Sequence, residues 1–417
     1  MKEEYLHFLW KYRRFPSNKF TTTENFEIEV VNFGFHNLHS GPDFLNGQVR
    51  FNEVLLVGSI EFHLKSSDWY AHNHQNDEAY NNVILHVVLE HNREVLINGE
   101  KIPTIELRSF IDEEHLRKFE SHLLNPDISC SKRLGELTEM DWVNHLDALS
   151  ISRLERKLEE NKRLLTQLDH DFHKLFMVLI ARALGGKVNS ESFELLCNRI
   201  DTSHFSKLNG ENHSYEAYIL GLSGMLEGAF IDEYPNFLKA EWNYLKVLLN
   251  QDEMNASAWK YGRLRPKGFP LVRLVQFANL LMKKDLIIGS IDKELTVKEW
   301  YDFLDISFNQ YWNGHIGFDK KGQSIVLSNK MKELILVNAI LPFRSLLLSR
   351  KGLEYIKYHV EILSELKPEI NHIIKKWSEY RLNSSTMFDS QGLIELYNEY
   401  CLKKQCLNCK FGVKFMS

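Results

Sequence analysis

The feature that most limits how this chain can fold is a change of hydrophobic period near Asp112. Before that point, after a first short helix, the chain reads mainly as strands with a period of two, and beyond it apolar residues recur about every three and a half, nearly to the end. A period of two belongs to strands and a period near 3.6 to helices, so strands and helices are segregated along the chain. The expected class is α+β, with a strand-rich mixed α/β domain over 1–125, a large all-α domain over 126–400 and a cysteine-containing tail over 401–417.

The first part begins with a helix from Glu3 to Phe15, on which Tyr5, Phe8, Leu9 and Tyr12 share helical spacing and which Pro16 ends. Phe26 to Phe33 alternates with Glu27 and Glu29. Gly47 to Phe51 and Leu55 to Lys65 form a hairpin turning at Asn52-Glu53. Val83 to Glu90 is apolar almost throughout, as in a strand buried on both faces. Arg93 to Leu107 holds a further hairpin with Asn98-Gly99 as its turn. In the second part, Thr138 and Asp141 form a capping box opening a long helix with Leu146, Leu149, Leu154 and Leu158. Helices are further expected at Asp169 to Leu184, Ser190 to Arg199, Tyr215 to Glu227, Tyr234 to Leu249, Leu271 to Lys283, Val297 to Phe308, Lys330 to Ser349 and Leu353 to Leu366.

At 417 residues the chain exceeds one ordinary core, and its 44% hydrophobic and 26% charged content is that of a globular protein. The formal charge of -5 excludes a strongly basic nucleic-acid binder while leaving room for a local basic groove. Met1 to Leu6 lacks the apolar stretch of a secretory signal, and the longest apolar run, Leu334 to Leu348, is broken by Asn338, Pro342 and Arg344. The expectation is a cytoplasmic protein with no membrane partner, whose cysteines are thiols or metal ligands rather than disulfides.

Acids and histidines concentrate between His39 and Asp77. On a strand Glu61, His63 and Lys65 point one way, while Ile60, Phe62 and Leu64 point the other. The plainest account is the polar face of a half-solvated sheet. A hairpin would, however, return Glu61 towards Asp43, which precedes the neighbouring strand. An acid at one strand start, an acid in the next strand and a proton-handling residue two positions on resemble the PD-(D/E)xK nuclease superfamily. That resemblance implies that Asp43 and Glu61 chelate Mg²⁺ or Mn²⁺ in a metal-dependent nuclease, a hydrolase using metal-activated water. His63 occupies the superfamily's lysine position. Lys65 lies further on, its backbone ~13 Å from that of Glu61 at ~3.3 Å per residue. His63 would orient or deprotonate water, and Lys65 or His74 would contact phosphate. A second metal reading takes His72, His74 and a later histidine such as His86 as a cupin-like site. His36 and His39 flank the Asp43 turn and are expected to bond to backbone groups.

Cys401-x4-Cys406-x2-Cys409 is a second signal, with Lys403, Lys404, Lys410 and Lys414 expected to favour thiolates. Cys130, His315 or His359 could complete a Zn²⁺ or iron-sulfur site, and a reduced, partly buried tail is the alternative. Cys197, beside Phe193 and Leu196, reads as core. Arg263, Arg265, Lys267 and Arg273 project from a proline-restricted turn and its following helix, a segment able to grip the phosphates of DNA or RNA or to pair with local carboxylates.

Four stretches, namely Gly41-Pro42-Asp43, Ser66 to Trp69 with Ala79 to Val83, Arg265 to Pro270 and Cys406 to Gly412, resemble an uncharacterised bacterial family known as a domain of unknown function. The resemblance runs over nearly the full chain and implies no activity. The leading expectation is therefore a metal-dependent nuclease-like domain carried by a helical domain that binds nucleic acid or a partner. The alternative is a non-catalytic nucleic-acid or protein-binding scaffold.

Overall fold

The computed structural model describes residues 3–37, 41–114, 116–117, 128–208, 210–262, 264–380 and 382–416, and it is α+β, strand-rich first and helical after. The chain forms two compact units, Met1–Asp141 with Leu396–Ser417, and Trp142–Glu395. Among the described residues no helix is long and apolar enough to cross a membrane.

The first unit is built on a seven-stranded sheet. Its strands are β1 (Lys19–Thr21), β2 (Glu27–Asn32), β3 (Phe35–His36), β4 (Phe44–Phe51), β5 (Val54–Lys65), β6 (Val83–Glu90) and, beyond a small separate hairpin of β7 (Leu96–Ile97) and β8 (Glu100–Lys101), β9 (Thr104–Glu106). The order is β1-β2-β4-β5-β6-β9, with β3 also paired to β4. Neighbours are antiparallel up to β5, while β5 with β6 and β6 with β9 are parallel. Thr22 bridges Ile105, so the two ends of the sheet meet and it curls round its apolar side. There Phe20, Ile28, Val30, Phe44, Val49, Ile60, Phe62, Leu85, Val87 and Ile105 pack with Leu6 and Trp10 of helix α1 (Glu3–Lys11).

Helix α1 stops at Lys11 rather than running on to Phe15. Arg13 takes a left-handed backbone (φ 51°), and this turns Phe15 back against Trp10, Phe20 and Phe33. The other face of α1 buries Tyr5, Phe8 and Leu9 against Cys406 and Leu407. Cys406 and Leu407 thereby enter the first unit's core, and the unit takes in Leu396–Ser417, whereas the sequence sets 401–417 apart as a tail. A parallel pair needs a crossover, and the β5 to β6 connection supplies it through the short helix α2 (Asp68–Ala71) and two 3-10 turns, laying Trp69 and Tyr80 on the side of β5 opposite Phe62.

The second unit is helical. Helix α3 (Glu139–Gln167) starts at the Thr138 capping box, where Asp141 Oδ2 accepts from the Thr138 amide at 2.8 Å, and the boundary between units falls in its first turn. Helix α4 (Phe172–Arg199) joins the two helices expected on either side of a break at Gly186, whose φ of 55° makes the kink that glycine allows. Next come α5 (Asn212–Leu222), α6 (Glu233–Leu249) and α7 (Pro270–Met282). Cys197 is fully buried in this unit, packed as expected among Phe193 and Leu196.

Candidate metal centre

The hairpin of β4 and β5 sets Asp43 against Glu61. Register runs from Phe51 opposite Val54 to Gly47 opposite Gly58, then shifts by one residue before Phe44 pairs with Ile60. This bulge contains Asn46 in the left-handed region (φ 57°) and Gly47, where a Cβ would lie 2.6 Å from Ile60 Cδ1. Bulges re-aim the strand that carries them. Here the start of β4 is turned so that the Asp43 amide donates to Glu61 Oε2 at 3.0 Å and the Phe62 amide donates to Asp43 Oδ2 at 3.0 Å.

Glu61 and His63 share a face of β5, as the alternation predicts, yet that face is not solvated: they are 4% and 1% exposed. The crossover carrying Trp69 and Tyr80 covers them. Burial first, and the Asp43 charge second, push the Glu61 carboxyl up to about 9. Two acids confined together without a cation resist double ionisation.

Three imidazoles meet the other side of Glu61. Its Oε1 lies 3.5 Å from His74 Nε2 and 3.9 Å from His63 Nε2, while His63 Nε2 lies 3.2 Å from His72 Nδ1. His63 Nδ1 bonds to His86 Nε2 at 2.9 Å across the β5 and β6 register that pairs Glu61 with His86. His74 stacks on Tyr80, with ring centres 3.9 Å apart, and meets the edge of Trp69. Burial, then the neighbouring His74 and His72, hold His63 down to about 3; burial likewise lowers His74 and, further, His86. These rings are neutral near pH 7, the form that ligates metal. Among the described residues it is His63, not His86, whose ring nitrogen groups with those of His72 and His74, and His86 lies behind it.

Helix α1 adds two groups that strand-based reading misses. His7 Nε2 lies 3.2 Å from Asp43 Oδ2, and Glu3 belongs to the same cluster. Burial first and the Asp43 charge second push the Glu3 carboxyl up to about 7. The readable signal is the four-residue spacing of Glu3 and His7, which puts both on one helix face. Among the described residues, ligand atoms lie mutually within 4.8 Å in two sets, His63 with His72 and His74, and Glu3 with His7 and Asp43. Neutral nitrogens on one side and crowded carboxyls on the other form a donor set suited to a cation.

The remaining candidates lie elsewhere. Lys65 is exposed at the end of β5, opposite Glu90, its amide donating to Asp68. His36 stacks on Phe44, its Nδ1 buried without a hydrogen-bond partner among the described residues, and burial lowers it to about 4. His39 and Arg263 lie outside the described residues. Arg265 and Lys267 are exposed, whereas Arg273 is half-buried, donates to Gln276 and is lowered to about 10 by burial. Cys130, Cys401, Cys406 and Cys409 gather in the first unit, close enough for charge on one to raise another. Burial is the largest influence on them, pushing Cys130 up to about 12 and Cys409 up to about 11 and raising Cys401 and Cys406, while Lys404 works in the opposite direction on Cys401 and Cys406. Backbone N–H groups of Phe411 and Gly412 reach the Cys409 sulfur. His359 has both ring nitrogens engaged within its own unit, by the Tyr355 and Leu341 carbonyls, and His315 stacks on Tyr311.

A family model described as "Protein of unknown function (DUF2851)" matches residues 3–372, and the chain belongs to that family. No curated protein and no solved structure matches the chain.

Proposed function

We propose that this member of the DUF2851 family is a metal-dependent hydrolase of nucleic-acid phosphodiesters, with Asp43 and Glu61 as its carboxylate seat. The observation that carries the reading is the reciprocal backbone bonding of these two acids across the bulged hairpin. Mg²⁺ or Mn²⁺ held there would supply Lewis acidity to the phosphate and to water. Two backbone amides fix the carboxyl groups, and His7 approaches Asp43 from the helix side, so the acids are oriented before substrate arrives. His74, half-buried and lowered by burial, would accept a proton at Nε2 in the state where no cation is held by the imidazoles. His63 is a positioning residue, because its low proton affinity makes it a poor base. Arg265, Lys267 and Arg273 are assigned to phosphate binding, together with the exposed Lys65. Cys130, Cys401, Cys406 and Cys409 are assigned to a structural Zn²⁺ or iron-sulfur site that would need their thiols to draw closer together than they lie here, since no three of them have sulfurs within 4.8 Å of one another, and the N–H groups directed at Cys409 favour a thiolate there. Metal analysis of anaerobically purified protein tests that part: zinc or iron at one site per chain supports it, and neither removes it.

The hydrolase reading is tested by incubating single- and double-stranded DNA and RNA with the full chain in Mg²⁺, Mn²⁺ or chelator. Cleavage that needs the cation and is lost in Asp43→Ala and Glu61→Ala is the expected result. Equal activity in all three proteins, or none in the wild type with either cation, overturns it.

A further inference from the structure

We infer that His63, His72 and His74, closed by Glu61 Oε1, form a separate nitrogen-rich seat for a Zn²⁺-class cation beside the carboxylate seat of Asp43. This goes beyond the hydrolase reading and stands without it, because it rests on ligand geometry alone. Zinc holds imidazole nitrogens at 2.0–2.1 Å, which sets ligand atoms about 3.3 Å apart in a tetrahedron. His63 Nε2 to His72 Nδ1 is 3.2 Å, His74 Nε2 to Glu61 Oε1 is 3.5 Å and His63 Nε2 to Glu61 Oε1 is 3.9 Å. These three separations are near a tetrahedral edge, and the three imidazole nitrogens lie within 4.8 Å of one another.

The outer layer points the same way. When His63 Nδ1 donates to His86 Nε2, the lone pair of His63 is left on Nε2, facing His72 and Glu61. Ligating imidazoles are held by their second nitrogen in this manner. His86 is fully buried and its Nδ1 has no hydrogen-bond partner among the described residues, a cost accepted where the ring orients another. Trp69 and Tyr80 wall the seat, while exposed His72 leaves it open to solvent. Glu61 divides its oxygens, Oε1 towards the imidazoles and Oε2 to the Asp43 amide, and so stands between two cation seats of different chemistry. Nitrogen donors select Zn²⁺ and its neighbours, whereas Glu3 and Asp43 suit harder ions.

The test uses the full chain, stripped with chelator and titrated with Co²⁺ as a visible stand-in for Zn²⁺. The expected result is an intense ligand-field band of a low-coordinate nitrogen site, displaced by Zn²⁺. His72→Ala, on the solvent side, should weaken Co²⁺ binding by roughly tenfold or more, on the scale set by lost outer partners. Asp43→Asn should retain the band. No band in the wild type, or a band and affinity unchanged in both His72→Ala and His74→Ala, overturns the seat. A nuclease assay that fails while the band is present removes only the hydrolase reading.

Discussion

Asp43 and Glu61 are drawn together by two backbone amides, the Asp43 amide donating to Glu61 Oε2 and the Phe62 amide, next to Glu61, donating to Asp43 Oδ2, each at 3.0 Å. Two carboxyl groups oriented in this way are costly for the folded chain unless a cation is shared. Saturating Mn²⁺ should therefore stabilise the wild type, by about 2.7 kcal/mol at a hundred times the dissociation constant. Asp43→Asn and Glu61→Gln keep the shape and should lose that response. Thermal unfolding with and without Mn²⁺ decides; a response of equal size in both variants would place the cation elsewhere.

The hairpin that makes this pairing is legible in the sequence, because Ile60 to Lys65 alternates apolar and polar residues and Asn52 at its turn accepts a left-handed backbone (φ 50°). Alternation also puts Glu61 and His63 on one face. It does not carry what covers that face: a crossover of four-residue and three-residue pieces has no period, so the burial of Glu61 by Trp69 and Tyr80 appears only in the fold. The bulge at Asn46 adds one residue and leaves the local pattern almost untouched. Glu3 and His7 escape for another reason, since they lie on a helix whose apolar residues dominate its reading. Cysteine spacing signals a group of thiols, but the burial that outweighs their lysines depends on α1 packing over Cys406, which no local stretch encodes.

Gly412 offers a test of the cysteine turn. A Cβ there would lie 2.1 Å from the Cys406 carbonyl oxygen, a backbone atom with no freedom to yield. Gly412→Ala should force the turn open, at a cost of about 1–3 kcal/mol by analogy with overpacking, and expose Cys406 and Cys409. Faster reaction of these thiols with a probe, with Cys197 still protected, is the expected outcome. Unchanged reactivity and stability would mean that the turn relaxes without strain.

Arg265 and Lys267 are exposed on the connection before α7. If they hold phosphates, affinity for a single-stranded oligonucleotide should fall steeply with salt, and replacing each by alanine should lower the log-log salt slope by about 1. Binding isotherms at several salt concentrations measure this. A slope unaltered in the double variant would assign the segment to connecting helices only.

Glu216 makes the second unit's stability depend on pH. It is fully buried on α5, where Oε2 accepts from Trp312 Nε1 at 2.7 Å and Tyr234 at 3.0 Å, and Oε1 accepts from Asn279 at 2.9 Å. Burial pushes its carboxyl up to about 7 despite these three donors, from an ordinary 4.5. Below the ordinary value the group is neutral in both folded and unfolded chains, and no charge is buried. As pH rises from there to about 7 the unfolded chain ionises first, so stability should fall by about 1.4 kcal/mol per pH unit, about 3 kcal/mol in all, and then level off. Glu216→Gln removes the titration but turns an amide N–H₂ towards a donor, at a cost of about 1–3 kcal/mol for an unmatched buried group. The variant should be the less stable protein at pH 5, with the gap closing or reversing by pH 8. Denaturant unfolding of both proteins across this range measures the gap, and a gap independent of pH would show that Glu216 is ionised throughout.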